Sequence, residues 1–267
     1  MPHLRGLWRF ANAYVMFTKL GDMHYKGTAY QNKDYVYFDV DDFHSFGRRA
    51  SNYRTFFHEM SHAADYSYGQ RKCNGNYTTI DYVDKNGNTL NDYLKADVEN
   101  RIRTEVDEYI EKKNLNLTAE EKKKLEDDVT HLIMNTADYK NDPPKIDDAM
   151  TKKCYKSVVF SIKIDLAFNA GEASDVYGGY TGNTVSYWQH DADYWYTTTT
   201  DANGNEVPAY DENGDLVRTT KQPLECFAEC MAGMITDCDS GMDGYNYYSE
   251  DVQNTFNDIA SEMAGTN

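Results

Sequence analysis

No run of apolar residues in this 267-residue chain approaches the ~20 needed to span a bilayer, and the mean hydropathy of −0.79 agrees. A membrane-spanning role is not expected. Positive charge is also scarce, since 27 Lys and Arg stand against 44 Asp and Glu, and the resulting net charge of −17 repels phosphate backbones and anionic membranes. Nucleic acid and membrane surfaces are therefore not expected partners. Cys73, Cys154, Cys226, Cys230 and Cys238 make an odd count without a CxxC pair, which fits a reducing compartment better than a disulfide framework. The first ten residues lack an apolar h-region with a small-residue cleavage site, so they do not read as a signal peptide. A signal or upstream domain, if there is one, lies outside this chain. What is plentiful is tyrosine, 23 residues of it, which implies a core rich in rings with polar tips.

The most specific pattern is His58-Glu59-Met60-Ser61-His62, within a segment that reads as one helix over residues 53–68. Histidines four apart lie about 40° from each other on a helix of 3.6 residues per turn, so both can reach one metal ion. Glu59 stands one step round, placed to hold a water on that metal and take its proton. This is the chemistry of zinc hydrolases, and it needs a third ligand.

Around the motif, the spacing of Leu4, Leu7, Trp8, Ala11, Val15 and Leu20 predicts an amphipathic helix over the first 20 residues. Alternating β-branched and aromatic residues on either side of Gln31-Asn32-Lys33-Asp34 predict a hairpin over 28–40, and an edge strand there could pair with an extended substrate. Ser51 or Asn52 is expected to cap the motif helix and Gly69 to end it. Residues 70–148 read as a helical insertion, with helices over 90–115 and from the Thr118-Ala119-Glu120-Glu121 capping box to about residue 139. Asp142-Pro143-Pro144 breaks the chain, and residues 152–169 resume as a buried helix. Asp201-Ala202-Asn203-Gly204 and Asp211-Glu212-Asn213-Gly214 make residues 197–220 one or two hairpins. A calcium loop through Asp201, Asn203, Asn205 and Glu212 is the alternative, but Glu206 stands where the loop needs glycine. A last amphipathic helix carries Val252, Phe256, Ile259 and Met263. The expectation is an α+β chain, mainly helical, forming one domain over 1–267 with a small N-terminal β-sheet or hairpin on the motif helix and two insertions, at 70–148 and 197–220.

Two carboxylates are candidates for the third ligand. Glu225 and Glu229, four apart after Pro223 in a first helical turn, share a helix face, so that one can bind metal while the other supports a ligand histidine. Glu172 and Asp175 form the other pair; their stretch resembles the third-ligand helix of thermolysin-like peptidases, although there the two acids stand four apart and here three. Cys226 and Cys230, also four apart, read as small packing residues or as metal ligands.

His58-Glu59-x-x-His62 followed much later by Glu225-x-Phe227-Ala228-Glu229 resembles the gluzincin pattern of the anthrax lethal factor catalytic domain. It is more similar still to the zinc-peptidase-like domains at the C-terminal ends of some phage minor head proteins, which also carry stretches like residues 174–181, a histidine like His190 and a Tyr-Trp pair like Tyr194-Trp195. The resemblance covers about residue 27 to the C-terminus. It implies a zincin-like metalloprotease fold, with Zn2+ held by His58, His62 and Glu225. It further implies Glu59 as general base and acid, Glu229 behind the ligands, and a peptide or protein substrate. Lethal factor places a tyrosine seven residues before its third ligand; that position is Arg218 here, which leaves Tyr194, Tyr196 and His190 as candidates to stabilise the oxyanion. Asp175 would orient a ligand histidine or cap a turn. The resemblance admits two further readings, a catalytically silent module that contacts phage head or portal proteins and a toxin-like effector protease. The corresponding locations are bacterial cytoplasm, virion, or secretion into another cell.

Overall fold

The computed structural model describes residues 14–18, 29–32, 35–39, 50–72, 75–140, 143–183, 190–236 and 239–265. It is mainly helical with two small sheets, an α+β arrangement, and it divides into two compact units. The first unit joins Met1–Tyr93 to Pro223–Asn267; the second is Leu94–Gln222. The second unit therefore takes in most of the expected 70–148 insertion together with the hairpin over 197–220. Among the described residues no helix is long and apolar enough to cross a membrane.

In the first unit, strands β1 (Tyr14–Thr18), β2 (Ala29–Asn32) and β3 (Tyr35–Asp39) form a sheet of order β1-β3-β2, parallel between β1 and β3 and antiparallel between β2 and β3. The hairpin expectation thus holds for β2 and β3, whose connecting residues 33–34 lie outside the described set. The helix expected over residues 1–20 is corrected: its described part is β1, where Val15 and Phe17 alternate in a run of β-formers that outweighs the looser helical spacing. Residues 1–13 lie outside the described residues. On β3, Val36 and Phe38 are fully buried, and the Phe38 ring stacks on Phe56 of helix α1 (Ala50–Lys72) with centroids 5.3 Å apart.

Helix α1 is longer than expected at both ends. It starts at Ala50, so Ser51 and Asn52 lie inside it rather than capping it, and it runs through Gly69 to Lys72. Gly69 serves packing instead of termination: a Cβ there would meet the Asn76 carbonyl oxygen at 1.9 Å, so only glycine lets the returning chain come this close. That chain leads into the short helix α2 (Thr78–Asp81). Behind α1 lie α7 (Lys221–Thr236) and α9 (Glu250–Ala264), with α8 (Asp239–Tyr247) between them in sequence. Phe227 of α7 packs on Phe256 of α9 at 5.5 Å, and the Tyr68 hydroxyl of α1 donates to the Glu262 carbonyl of α9.

In the second unit, α3 (Leu90–Lys112, beginning in the first unit) is followed by α4 (Ala119–Met134), α5 (Ala149–Phe168) and α6 (Ala173–Thr181). The capping box is formed as read: the Thr118 hydroxyl accepts from the Glu121 amide, and the Glu121 carboxylate accepts from the Thr118 amide. Helix α4 stops at Met134, short of residue 139, because Asn135 turns its side chain back onto the His131 carbonyl and ties itself to Leu216 and Asp215 of the hairpin. Strands β4 (Thr198–Thr200) and β5 (Glu206–Pro208) make the expected antiparallel hairpin, extended by bridges between Tyr196 and Arg218 and between Tyr210 and Leu216.

Candidate metal centre

Helix α1 presents His58 and His62 one turn apart, and α7 presents Glu225 toward them. The three ligand atoms form a compact triangle. His58 Nε2 and His62 Nε2 are 3.2 Å apart, and Glu225 Oε2 stands 3.1 Å from the first and 3.4 Å from the second. A triangle with these edges has its centre ~1.9 Å from each corner, so a point ~1 Å out of its plane lies about 2.1 Å from all three atoms. That is the length of a bond from a small divalent cation to imidazole nitrogen or carboxylate oxygen. These residues can hold a metal ion, and among the described residues no other group of three or more His, Cys, Asp or Glu does so.

Burial supports this use. Glu225 keeps only 3% of its side-chain surface, and a carboxylate so enclosed is costly unless a cation or strong donors face it. Burial is the main influence on His58 and lowers its pKa to about 4, against the opposing pull of Glu225, so the ring is neutral at ordinary pH and free to bind metal without first losing a proton. His62 shifts the other way. Burial again is the largest single influence and favours the neutral ring, but Glu225, Glu59 and Asp65 together outweigh it and raise the pKa.

Glu229 lies one turn beyond Glu225 on α7. Its Oε2 accepts from Arg54 Nη2 at 2.5 Å, and its Oε1 is 3.9 Å from His58 Nδ1, beyond direct hydrogen-bond reach. Neither Arg54 nor Asp65 stands out in the bare sequence. Arg54 is four residues before His58, continuing the spacing of the histidines toward the N-terminus, and that periodicity was the available signal. Asp65, one turn past His62, is fully buried and accepts from the Thr79 amide at 3.0 Å and the Thr79 hydroxyl, while its carbonyl accepts from the Thr78 hydroxyl. A lone Asp on an amphipathic helix gives no sign that it will be enclosed.

The remaining expected residues belong to the second unit. Glu172 is the residue before α6 and not part of the ligand group. Asp175 does hold a histidine, but the histidine is His190: Asp175 Oδ2 is 2.6 Å from its Nδ1, and Oδ1 accepts from its amide at 3.1 Å. The His190 ring stacks on Tyr194 with centroids 3.9 Å apart, and Lys221 Nζ lies 4.8 Å from the Tyr194 ring. Trp195 closes this cluster against Gly179, where a Cβ would come within 2.5 Å of the indole. Tyr196 and Arg218 pair at the foot of the hairpin. Arg218 is structural: its guanidinium donates to the carbonyls of Met134, Gly179 and Tyr180, tying the hairpin to the ends of α4 and α6.

Cys226 and Cys230 point into the core of the first unit as free thiols and lie outside the ligand group, which favours packing over metal binding. Asp201 spends its carboxylate on its own turn, accepting from the amides of Asn203 at 2.8 Å and Asn205 at 2.9 Å. No protein-family model, curated protein or solved structure matches the chain.

Proposed function

We propose that the chain is a zinc-dependent metallopeptidase of zincin-like type that hydrolyses peptide bonds. The observation that carries this reading is the triangle of His58 Nε2, His62 Nε2 and Glu225 Oε2, because two imidazoles and one carboxylate are the donor set of a catalytic zinc site with a coordination position left for water. Bound zinc would supply a Lewis acid and lower the pKa of its water toward 7. Glu59, adjacent to His58 and close enough to His62 to influence its charge, takes the proton of the attacking water and passes it to the leaving amine. His58, His62 and Glu225 hold the ion, and the burial of His62 and Glu225 limits competing hydration.

Glu59→Gln keeps the ligand set and removes the base, so the variant should retain stoichiometric zinc while peptide turnover falls by roughly two to four orders of magnitude. Zinc analysis alongside a peptide-library cleavage assay reads both. Equal cleavage by the variant and the wild type would overturn the mechanism.

A further inference from the structure

Resting on the metal-site reading, we propose that Arg54 is a positioning residue of this centre, anchoring Glu229 by one carboxylate oxygen so that the other faces His58 and the carboxylate stays outside the ligand set. Two helices build the arrangement with one repeated spacing. On α1, Arg54, His58 and His62 fall at successive intervals of four; on α7, Glu225 and Glu229 do the same. The helix faces therefore meet as a ladder, with the two histidines and Glu225 on one rung and Arg54 with Glu229 on the next.

A histidine that binds metal through Nε2 carries its proton on Nδ1, and an acceptor there fixes both tautomer and ring orientation. Glu229 Oε1, 3.9 Å from His58 Nδ1, is the carboxylate oxygen aimed at that position and needs only a small shift to accept from it. Left alone, however, Glu229 would face two problems. It is nearly buried, and it lies one turn from Glu225, a like charge that would press on it while a cation nearby drew it inward. The guanidinium of Arg54, donating at 2.5 Å from the far side, answers both by neutralising the carboxylate and fixing its direction. Arg54 thus acts on the orientation of His58 through Glu229, beside the weaker direct effect of its charge on the ring.

The test measures zinc affinity by competition with a chromophoric chelator, and the visible spectrum of the cobalt-substituted full chain, for Arg54→Met, Arg54→Lys, Glu229→Gln and the Arg54→Met/Glu229→Gln pair. Arg54→Met should weaken zinc binding about 10- to 100-fold and shift the cobalt bands, with Arg54→Lys recovering most of both. Because the two residues act in series, the double variant should bind zinc about as well as Glu229→Gln alone. Far-UV circular dichroism checks that each variant folds, and Arg54→Lys keeps the question answerable if Arg54→Met does not. Wild-type affinity and an unshifted cobalt spectrum in Arg54→Met overturn the role, as do losses that multiply in the double variant. If the wild type takes up no zinc, the metal-site reading itself fails, which is a separate result.

Discussion

Asp65 is a carboxyl group enclosed on helix α1 one turn beyond His62. Burial raises its pKa to about 6, against the pull of the Thr79 hydrogen bonds and of His62. The unfolded chain releases this proton near the ordinary 3.8, whereas the folded chain keeps it until about pH 6. Between those limits the folded state binds more protons, so stability falls as pH rises from about 4 to 6 and stays lower above it, by up to ~3 kcal/mol. Asp65→Asn preserves the shape, can still accept from the Thr79 amide and can donate to its hydroxyl. In metal-free protein the variant should lose this part of the pH dependence and be the more stable form at pH 7. Urea unfolding of both proteins at pH 4, 5, 6 and 7 checks it; parallel curves with no difference that grows with pH would show that Asp65 ionises freely. The charge of Asp65 is one of those that raise the pKa of His62, its neighbour on the helix.

Helix α1 shows why one element can be legible in its chemistry and illegible in its ends. His58, Glu59 and His62 announce themselves because metal chemistry fixes residue type and spacing together, and the same holds for Glu225 and Glu229 on α7. The capping box at Thr118 and Glu121 was legible for a similar reason, since both partners lie within four residues. Gly69 misleads because its purpose is set by a carbonyl seven residues on, which no local pattern reveals. The strand at Tyr14–Thr18 misleads because its partner is the distant β3, and pairing decides between two periodicities that the local sequence both permits. His190 and Asp175 were each visible as candidates, but their pairing joins residues 15 apart and the intended ligand was a different histidine. The reading of Gly69 is testable. Alanine is the better helix former by about 1 kcal/mol, yet Gly69→Ala should destabilise the chain by roughly 2 kcal/mol, because the obstacle is backbone and the 75–79 segment must move. A urea midpoint that rises instead would show that the close approach at Asn76 is not maintained in solution.

Over the whole molecule, the ligands lie on one side of the division into units while being far apart along the chain. His62 and Glu225 are separated by roughly 160 residues, and a metal ion joining them closes that loop in the folded state. Both belong to the unit made from Met1–Tyr93 and Pro223–Asn267; Leu94–Gln222 contributes none of the three. Zinc should therefore stabilise the first unit selectively. Free zinc at 100 times its dissociation constant contributes about 2.7 kcal/mol to any opening that releases it, and nothing to an opening that leaves the site intact. Native-state hydrogen exchange read by mass spectrometry separates the two. Amides in α1 and α7 that exchange through opening of the first unit should slow about 100-fold when zinc is added to chelator-treated protein. Amides in α4 and α5, buried around Val129, Ile133, Val158 and Ile162, should keep their rates wherever they exchange by opening within the second unit. His58→Ala should remove the slowing in α1 and α7. Equal slowing in α5 would mean that the two units open as one, while no slowing in α1 would place the zinc somewhere other than the His58, His62 and Glu225 triangle.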